Sequence, residues 1–300
     1  GRSMTETPAA ATRSPFKTVE SADRYRAAYA ATLALWPVPH AALDIPTRFG
    51  TTHVNAAGES GLPPLILIHG FAASSTQWYP NIAALSGRFR VYALDVVNQM
   101  GLSVSTRPLK TRADCAGWLI EVMDGLELER AAVAGHSYGG WLSLNLALAA
   151  PERVERLVLL SPAAAIAPLA MRFLVSFLLV FIRPSRRRLY RFMQSLASTP
   201  LVEGEAMVEQ LVAAIPAFRP TQQAGPVVSK LSDQELRRLS MPVLLLVGEQ
   251  DITCQPRRVI ERARRLIPRV RAELIMGGGH LFTFDRPAAT AARVLEFLGP

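Results

Sequence analysis

Cysteine is scarce. Cys115 and Cys254 are the only two in 300 residues, too few for a disulfide framework, and neither stands in a C-x-x-C or Cys/His pattern with metal-ligand spacing. Both read as free thiols, and neither a metal nor an organic cofactor is expected. Lysine is scarce too, with Lys17, Lys110 and Lys230 set against thirty arginines. The resulting formal charge of +9 would suit nucleic acid, whose phosphates release counterions to basic side chains. The arginines are scattered through the whole chain, however, and no nucleic-acid partner is expected. Charged residues make up only 19% of the chain and apolar ones 50%, which excludes a disordered or low-complexity protein. The most apolar run, Phe173 to Ile182, has ten residues, about half of what a membrane-spanning helix needs. Internal repeats are absent, which sets aside solenoids and propellers. Gly1-Arg2-Ser3 ahead of Met4 read as a cloning remnant, and Thr5 to Pro15 lack the apolar stretch of a secretory signal, so the cytoplasm is the expected location.

What is present is an alternation. Pro64 to Ile68, Arg90 to Asp95, Ala131 to Ala134, Arg156 to Leu160, Pro242 to Val247 and the shorter Ala272 to Met276 are apolar runs that end on polar or glycine residues. Continuous apolar strands of this kind belong to a parallel sheet covered on both faces. Stretches of helical length separate them: about Thr76 to Leu85, Arg112 to Leu126, Tyr138 to Ala150, Pro256 to Leu266 and Pro287 to Leu298. Strand, helix and strand at this spacing predict right-handed crossovers in a doubly wound, mostly parallel α/β sheet. Upstream, Ser21 to Leu35 reads as an amphipathic helix and Asp44 to Asn55 as one or two antiparallel edge strands.

The length fits two domains or one domain with an insertion, and one interval breaks the rhythm. Residues 162–240 hold helical patterns and repeated prolines with no strand-like run. They predict a helical cap inserted after the sixth strand, dividing the chain into a disordered segment 1–20, a core of 21–161 and 241–300, and a cap of 162–240.

The sharpest local signal is Gly135-His136-Ser137-Tyr138-Gly139, a G-x-S-x-G directly after an apolar strand and directly before a helix. A serine on such a turn adopts strained backbone angles, and the small residues two positions away on each side let strand and helix approach closely. A glycine-rich helix entry with an ordinary N-cap serine would share the pattern.

On these residues the chain resembles the α/β-hydrolase superfamily over roughly residues 45 to 300, in particular its capped bacterial serine carboxylesterases. The resemblance implies Ser137 as nucleophile and an oxyanion hole from the backbone N–H groups of Tyr138 and Phe71, the latter in the loop His69-Gly70-Phe71. It implies an acid after the strand that follows the cap, assigned to Asp251 in Gly248-Glu249-Gln250-Asp251, with Glu249 as the rival. The histidine it implies is His280, after Gly277-Gly278-Gly279. Histidines 40, 53, 69 and 136 are read as framework or surface residues, and Asp124 and Asp285 as helix-terminal or solvated charges. Where many relatives carry a D-x-x-G-x-G-x-S loop, this chain has Asp95 followed by Asn98-Gln99-Met100, and with Gln77-Trp78-Tyr79-Pro80 this points to a subgroup of bacterial carboxylesterases. Serine at position 137 argues against the aspartate-nucleophile dehalogenases and epoxide hydrolases of the superfamily, and against a cysteine-nucleophile dienelactone hydrolase.

The run Phe173 to Ile182 is apolar on all sides, and Arg183, Arg186, Arg187, Arg188 and Arg191 follow it. It reads as a cap helix packed on the sheet domain, with Phe173, Phe177 and Phe181 lining a pocket for a small apolar acyl or aromatic ester. Attachment to an anionic lipid surface is the less favoured alternative, and the oligomeric state is not legible. Three other functions fit the same residues: a C–C bond hydrolase, a perhydrolase, or a slow-turnover ligand-binding relative.

Overall fold

Leu65, Ile66, Leu67 and Ile68 are all buried, as a strand covered on both faces requires. In the computed structural model, which describes residues 15–182, 184–202, 204–219 and 225–299, this strand is central to a mixed sheet. The strands are β1 (His40–Thr47), β2 (Gly50–Ala57), β3 (Pro64–Ile68), β4 (Arg90–Leu94), β5 (Val104–Ser105), β6 (Ala131–His136), β7 (Val154–Leu160), β8 (Val243–Gly248) and β9 (Val270–Ile275). Their order is β1-β2-β4-β3-β6-β7-β8-β9, with β5 on β2. From β4 to β9 the neighbours run parallel, whereas β1, β2 and β5 form the antiparallel edge.

The chain runs outward from β3 to β4 and then crosses back to β6 on the other side of β3. This reversal makes the C-terminal ends of β3 and β6 a switch point, where doubly wound sheets leave a crevice. Ile68 pairs with Gly135 in the parallel register, so the loop after β3 and the turn after β6 open side by side. Helices Arg112–Gly125, Tyr138–Ala149 and Pro256–Leu266 bury Trp118, Trp141 and Ile260 against one face. Helices Ile82–Ser86 and Pro287–Leu298 bury Ile82 and Val294 against the other.

Three expectations are corrected. The single helix over residues 76–85 is instead a 3-10 turn, Ser75–Trp78, and a short helix, Ile82–Ser86. Pro80, between them, has no N–H to donate to a preceding turn. The N-terminal segment is ordered before residue 20: Phe16 is buried with its ring 4.6 Å from Phe218, and helix Val19–Leu33 starts on a Thr18 capping box. The strand expected from Ala272 begins two residues earlier, at Val270.

The inserted segment follows β7, the sixth of the longer strands, and carries helices Met171–Ile182, Arg186–Leu196, Ala206–Ala217 and Asp233–Arg237. Helix Val19–Leu33 supports it from outside the insertion. Tyr25 and Tyr29 pack into one apolar cluster with Ala214, Ala217 and Phe218, and Thr32 Oγ1 donates to the Ala206 carbonyl at 3.2 Å.

Candidate active site

Ser137 has φ 51° and ψ −113°, a conformation that costs an L-residue about 1–3 kcal/mol and persists only where the surroundings impose it. Here they do. A Cβ on Gly135 would overlap the Gly139 carbonyl, and one on Gly139 would overlap the Ile68 carbonyl. The two glycines let strand and helix close around the serine and lift its hydroxyl out of the sheet. Tyr138 opens the following helix, at a position whose N–H has no acceptor in a preceding turn.

The Ser137 hydroxyl lies 3.0 Å from His280 Nε2. On the other side of the ring, His280 Nδ1 lies 2.9 Å from Asp251 Oδ2. A proton on Nδ1, donated to the carboxylate, leaves Nε2 as the acceptor facing the serine. Asp251 Oδ1 accepts from the backbone N–H of Thr253 at 2.8 Å and from its hydroxyl at 2.7 Å. Burial alone would raise this carboxyl, but the charge and hydrogen bond of His280 and the two bonds from Thr253 outweigh it and hold Asp251 well below the ordinary carboxylate range. Asp251 is therefore ionised wherever the protein is folded near neutrality. Glu249, the rival acid, is turned elsewhere and accepts from the Gly277 N–H at 3.0 Å.

The loop after β3 is pinned on both sides of Phe71. The Gly70 N–H donates to Gln77 Oε1 and the Ala72 N–H to Gln99 Oε1, each at 3.1 Å, while Ala72 itself has φ 58°. The peptide of Phe71 is thus held between two side-chain amides next to Ser137. Asn98 has φ 66°, the left-handed region that asparagine tolerates better than other side chains. The next residue, Gln99, is the one that reaches Ala72.

The remaining histidines serve the frame. His69 Nδ1 donates to the Gly70 carbonyl at 2.7 Å and Nε2 accepts from the Val96 N–H at 2.9 Å; burial lowers its pKa. His136 Nε2 donates to the His280 carbonyl at 3.1 Å, and burial, with His280 beside it, lowers its pKa to about 3. His53 pairs with Asp44 at 2.9 Å, and His40 is exposed. The Cys254 thiol, near Asp251 in the chain, is pushed up to about 12 by burial and by that carboxylate, which makes it a poor nucleophile. Among the described residues, no cluster of three or more His, Cys, Asp or Glu could hold a metal ion.

Asp285, read as a helix-terminal or solvated charge, ends the short helix Phe282–Asp285 but is buried and acts as a clasp. Its carboxylate accepts from the N–H groups of Ser198 at 2.8 Å and Gly279 at 3.1 Å, and from the Thr199 hydroxyl at 2.9 Å. It joins the inserted segment to the loop that carries His280. The Leu281 N–H, donated to the Leu196 carbonyl at 3.1 Å, adds a second tie, and Gly279 leaves no room for a side chain against Leu196.

Two cavities flank Ser137. One, of about 120 Å³, runs inward among Met193, Leu196, Leu211 and Phe284 and ends on a polar floor. There Gln210 Nε2 donates to Ser74 Oγ at 2.8 Å and Gln210 Oε1 accepts from Thr76 Oγ1 at 2.9 Å. The other, of about 310 Å³, lies among Tyr138, Leu169, Leu174 and Val228. Phe71, Phe173 and Phe177 line both, with ring centroids of Phe71 and Phe177 5.6 Å apart. The Phe181 side chain lies outside the described residues.

Fold and site define a class, and comparison with known proteins gives the same one. Residues 65–293 match the alpha/beta hydrolase family model. The chain is 37% identical to carboxylesterase YbfK of Bacillus subtilis over 94% of its length and 96% of the relative's. The crystal structure of that carboxylesterase superposes with a TM-score of 0.88 at 36% identity, covering 93% of this chain and 99% of that one. Naproxen esterase, carboxylesterase NP of Bacillus subtilis, gives the same TM-score at 34% identity over 94% and 100% of the two chains. A meta-cleavage product hydrolase from Pseudomonas fluorescens shares the fold at 23% identity, with a TM-score of 0.72. The chain belongs to the α/β-hydrolase family.

Proposed function

We propose that the protein is a serine carboxylesterase in which Ser137 is the nucleophile, His280 the general base and acid, and Asp251 the carboxylate that orients the imidazole. The observation that carries this reading is the continuous hydrogen-bonded line from the strained Ser137 hydroxyl through His280 to the ionised Asp251. Relatives at 34–37% identity that are named carboxylesterases, aligned over more than nine-tenths of the chain, support the reaction type.

A serine hydroxyl must lose its proton as it attacks a carbonyl carbon. His280 Nε2 takes that proton, and the imidazolium so formed lies against Asp251. The carbonyl oxygen, now anionic, faces the backbone N–H groups of Tyr138 and Phe71, each worth about 3 kcal/mol to the tetrahedral intermediate. His280 then gives the proton to the departing alkoxide and leaves an acyl-enzyme. Water, deprotonated by the same imidazole, attacks the acyl carbon, and the carboxylic acid leaves as the proton returns to Ser137. No step requires a metal or an organic cofactor.

The cavities favour apolar acyl or aromatic esters. Their walls near Ser137 are Phe71, Phe173 and Phe177, and no described acidic or basic side chain lines them apart from the histidines.

The test is hydrolysis of p-nitrophenyl esters, from acetate to a long acyl chain, by the wild type and Ser137→Ala. Turnover by the wild type that falls about a thousandfold or more in the variant is expected. A folded wild type that hydrolyses none of them would overturn the reading and turn attention to C–C cleavage of vinylogous diketones.

A further inference from the structure

The helix Met171–Ile182 is apolar except for Arg172 and Ser176, and its faces meet different surroundings. Phe173 and Phe177 line the cavities beside Ser137, and Val180 is buried. Met171, Leu174, Val175, Leu178, Leu179 and Ile182 recur at intervals of three and four residues, so they share the opposite face. Each of the six is between 38% and 72% exposed, in a stripe about 16 Å long. An uncovered stripe of large apolar side chains marks a surface that meets a partner. Leu174 belongs to this stripe and also lines the larger cavity, so the exposed apolar surface continues to the space beside Ser137.

Along the chain, the charge next to the stripe is positive. From residue 156 to residue 202 the chain contains no Asp or Glu and seven arginines. Arg172, on this helix, and Arg187 and Arg191, on the helix that follows it, are exposed, while Arg186 is paired with Glu209. A second copy docking by the same face would bring these arginines against their own equivalents, which like-charge repulsion opposes. An anionic headgroup layer over hydrocarbon complements both features, with apolar side chains at the acyl boundary and arginines at the phosphates. Among the described residues no helix is long and apolar enough to cross a membrane, so the arrangement suits lying on a bilayer.

We infer that the outer face of helix Met171–Ile182 docks on an anionic phospholipid bilayer and turns the larger cavity toward it. Docking stands independently of the reaction; only the further step, uptake of apolar esters from the bilayer, rests on the esterase reading.

The test is co-sedimentation with phosphatidylcholine vesicles with and without phosphatidylglycerol, at low and at near-physiological salt. The wild type should sediment with the anionic vesicles, and less so as salt shortens the electrostatic range to about 8 Å. Ser137→Ala should sediment equally, which separates docking from catalysis. Arg187→Ser with Arg191→Ser should weaken partitioning about 25-fold, at about fivefold for each arginine. Leu178→Asp with Leu179→Asp should abolish it while leaving hydrolysis of a soluble short-chain ester unchanged, because neither leucine lines the two cavities beside Ser137. Absence of sedimentation at low salt would overturn the inference. So would sedimentation indifferent to these substitutions, or a solution dimer that the leucine substitutions dissociate without any vesicle binding.

Discussion

Asp285 accepts the backbone N–H of Ser198 at 2.8 Å and so fastens the inserted helices to the loop that ends on His280. The same carboxylate holds the Gly279 N–H, one residue before the histidine.

Asp285→Ala should therefore act on stability and activity together. Buried N–H groups left without an acceptor cost about 1–3 kcal/mol, and a loosened Gly279 lets His280 drift from Ser137. Urea denaturation should show a lower midpoint, and kcat/KM on a p-nitrophenyl ester should fall about tenfold or more. A variant with wild-type stability and wild-type kcat/KM would remove the clasp from the account.

Gln99 tests the loop after β3. Its side-chain oxygen accepts the Ala72 N–H, and Gln99→Leu keeps the bulk while deleting the acceptor. If the Phe71 N–H serves the oxyanion, the loss falls on the transition state, and kcat should drop about tenfold to a hundredfold with KM nearly unchanged. A rise in KM at constant kcat would instead assign Gln99 to ground-state binding.

The buried histidines set a direction for acid stability. His136, lowered to about 3, stays neutral in the folded protein above that value, and burial pushes His69 the same way, whereas in the unfolded chain each takes up a proton near pH 6.5. Between those limits the unfolded state binds more protons, so stability falls as pH falls. His136 contributes a slope approaching about 1.4 kcal/mol per pH unit between pH 6.5 and about 3, and His69 adds to it in the same direction. Asp251, held low, adds its loss only at more acidic pH, below the ordinary carboxylate range. Urea midpoints measured from pH 7.5 to 4.5 should be flat at first and then decline, and the decline should be shallower in His136→Asn. A midpoint independent of pH across that range would contradict the buried neutral histidines.

Some of this is legible in the sequence because it is local. Ser137 sits in a five-residue pattern at the end of an apolar strand, Asp251 follows a strand that ends in Gly248, and His280 follows the glycine run after the last strand. The inner strands β3, β6 and β8 show because both faces are buried, which makes each a nearly uninterrupted apolar run. What escapes is what depends on long-range contact. Gln99 reaches Ala72 across 27 residues and Asp285 reaches Ser198 across 87, and neither spacing carries a signal. Thr253 could have been suspected, lying two residues beyond the acid with a hydroxyl and an N–H to offer it. Periodicity could not distinguish the faces of Met171–Ile182, because apolar residues cover both, and only the fold separates the face toward Ser137 from the one toward solvent.

The most direct test of the nucleophile is covalent capture. Diethyl p-nitrophenyl phosphate should transfer one diethylphosphoryl group to the Ser137 oxygen, releasing p-nitrophenolate, and esterase activity should disappear in proportion. Peptide mass spectrometry should find a single modified site, at Ser137, and Ser137→Ala should take up none. Modification elsewhere, or full activity with Ser137 unmodified, would contradict the account at its centre.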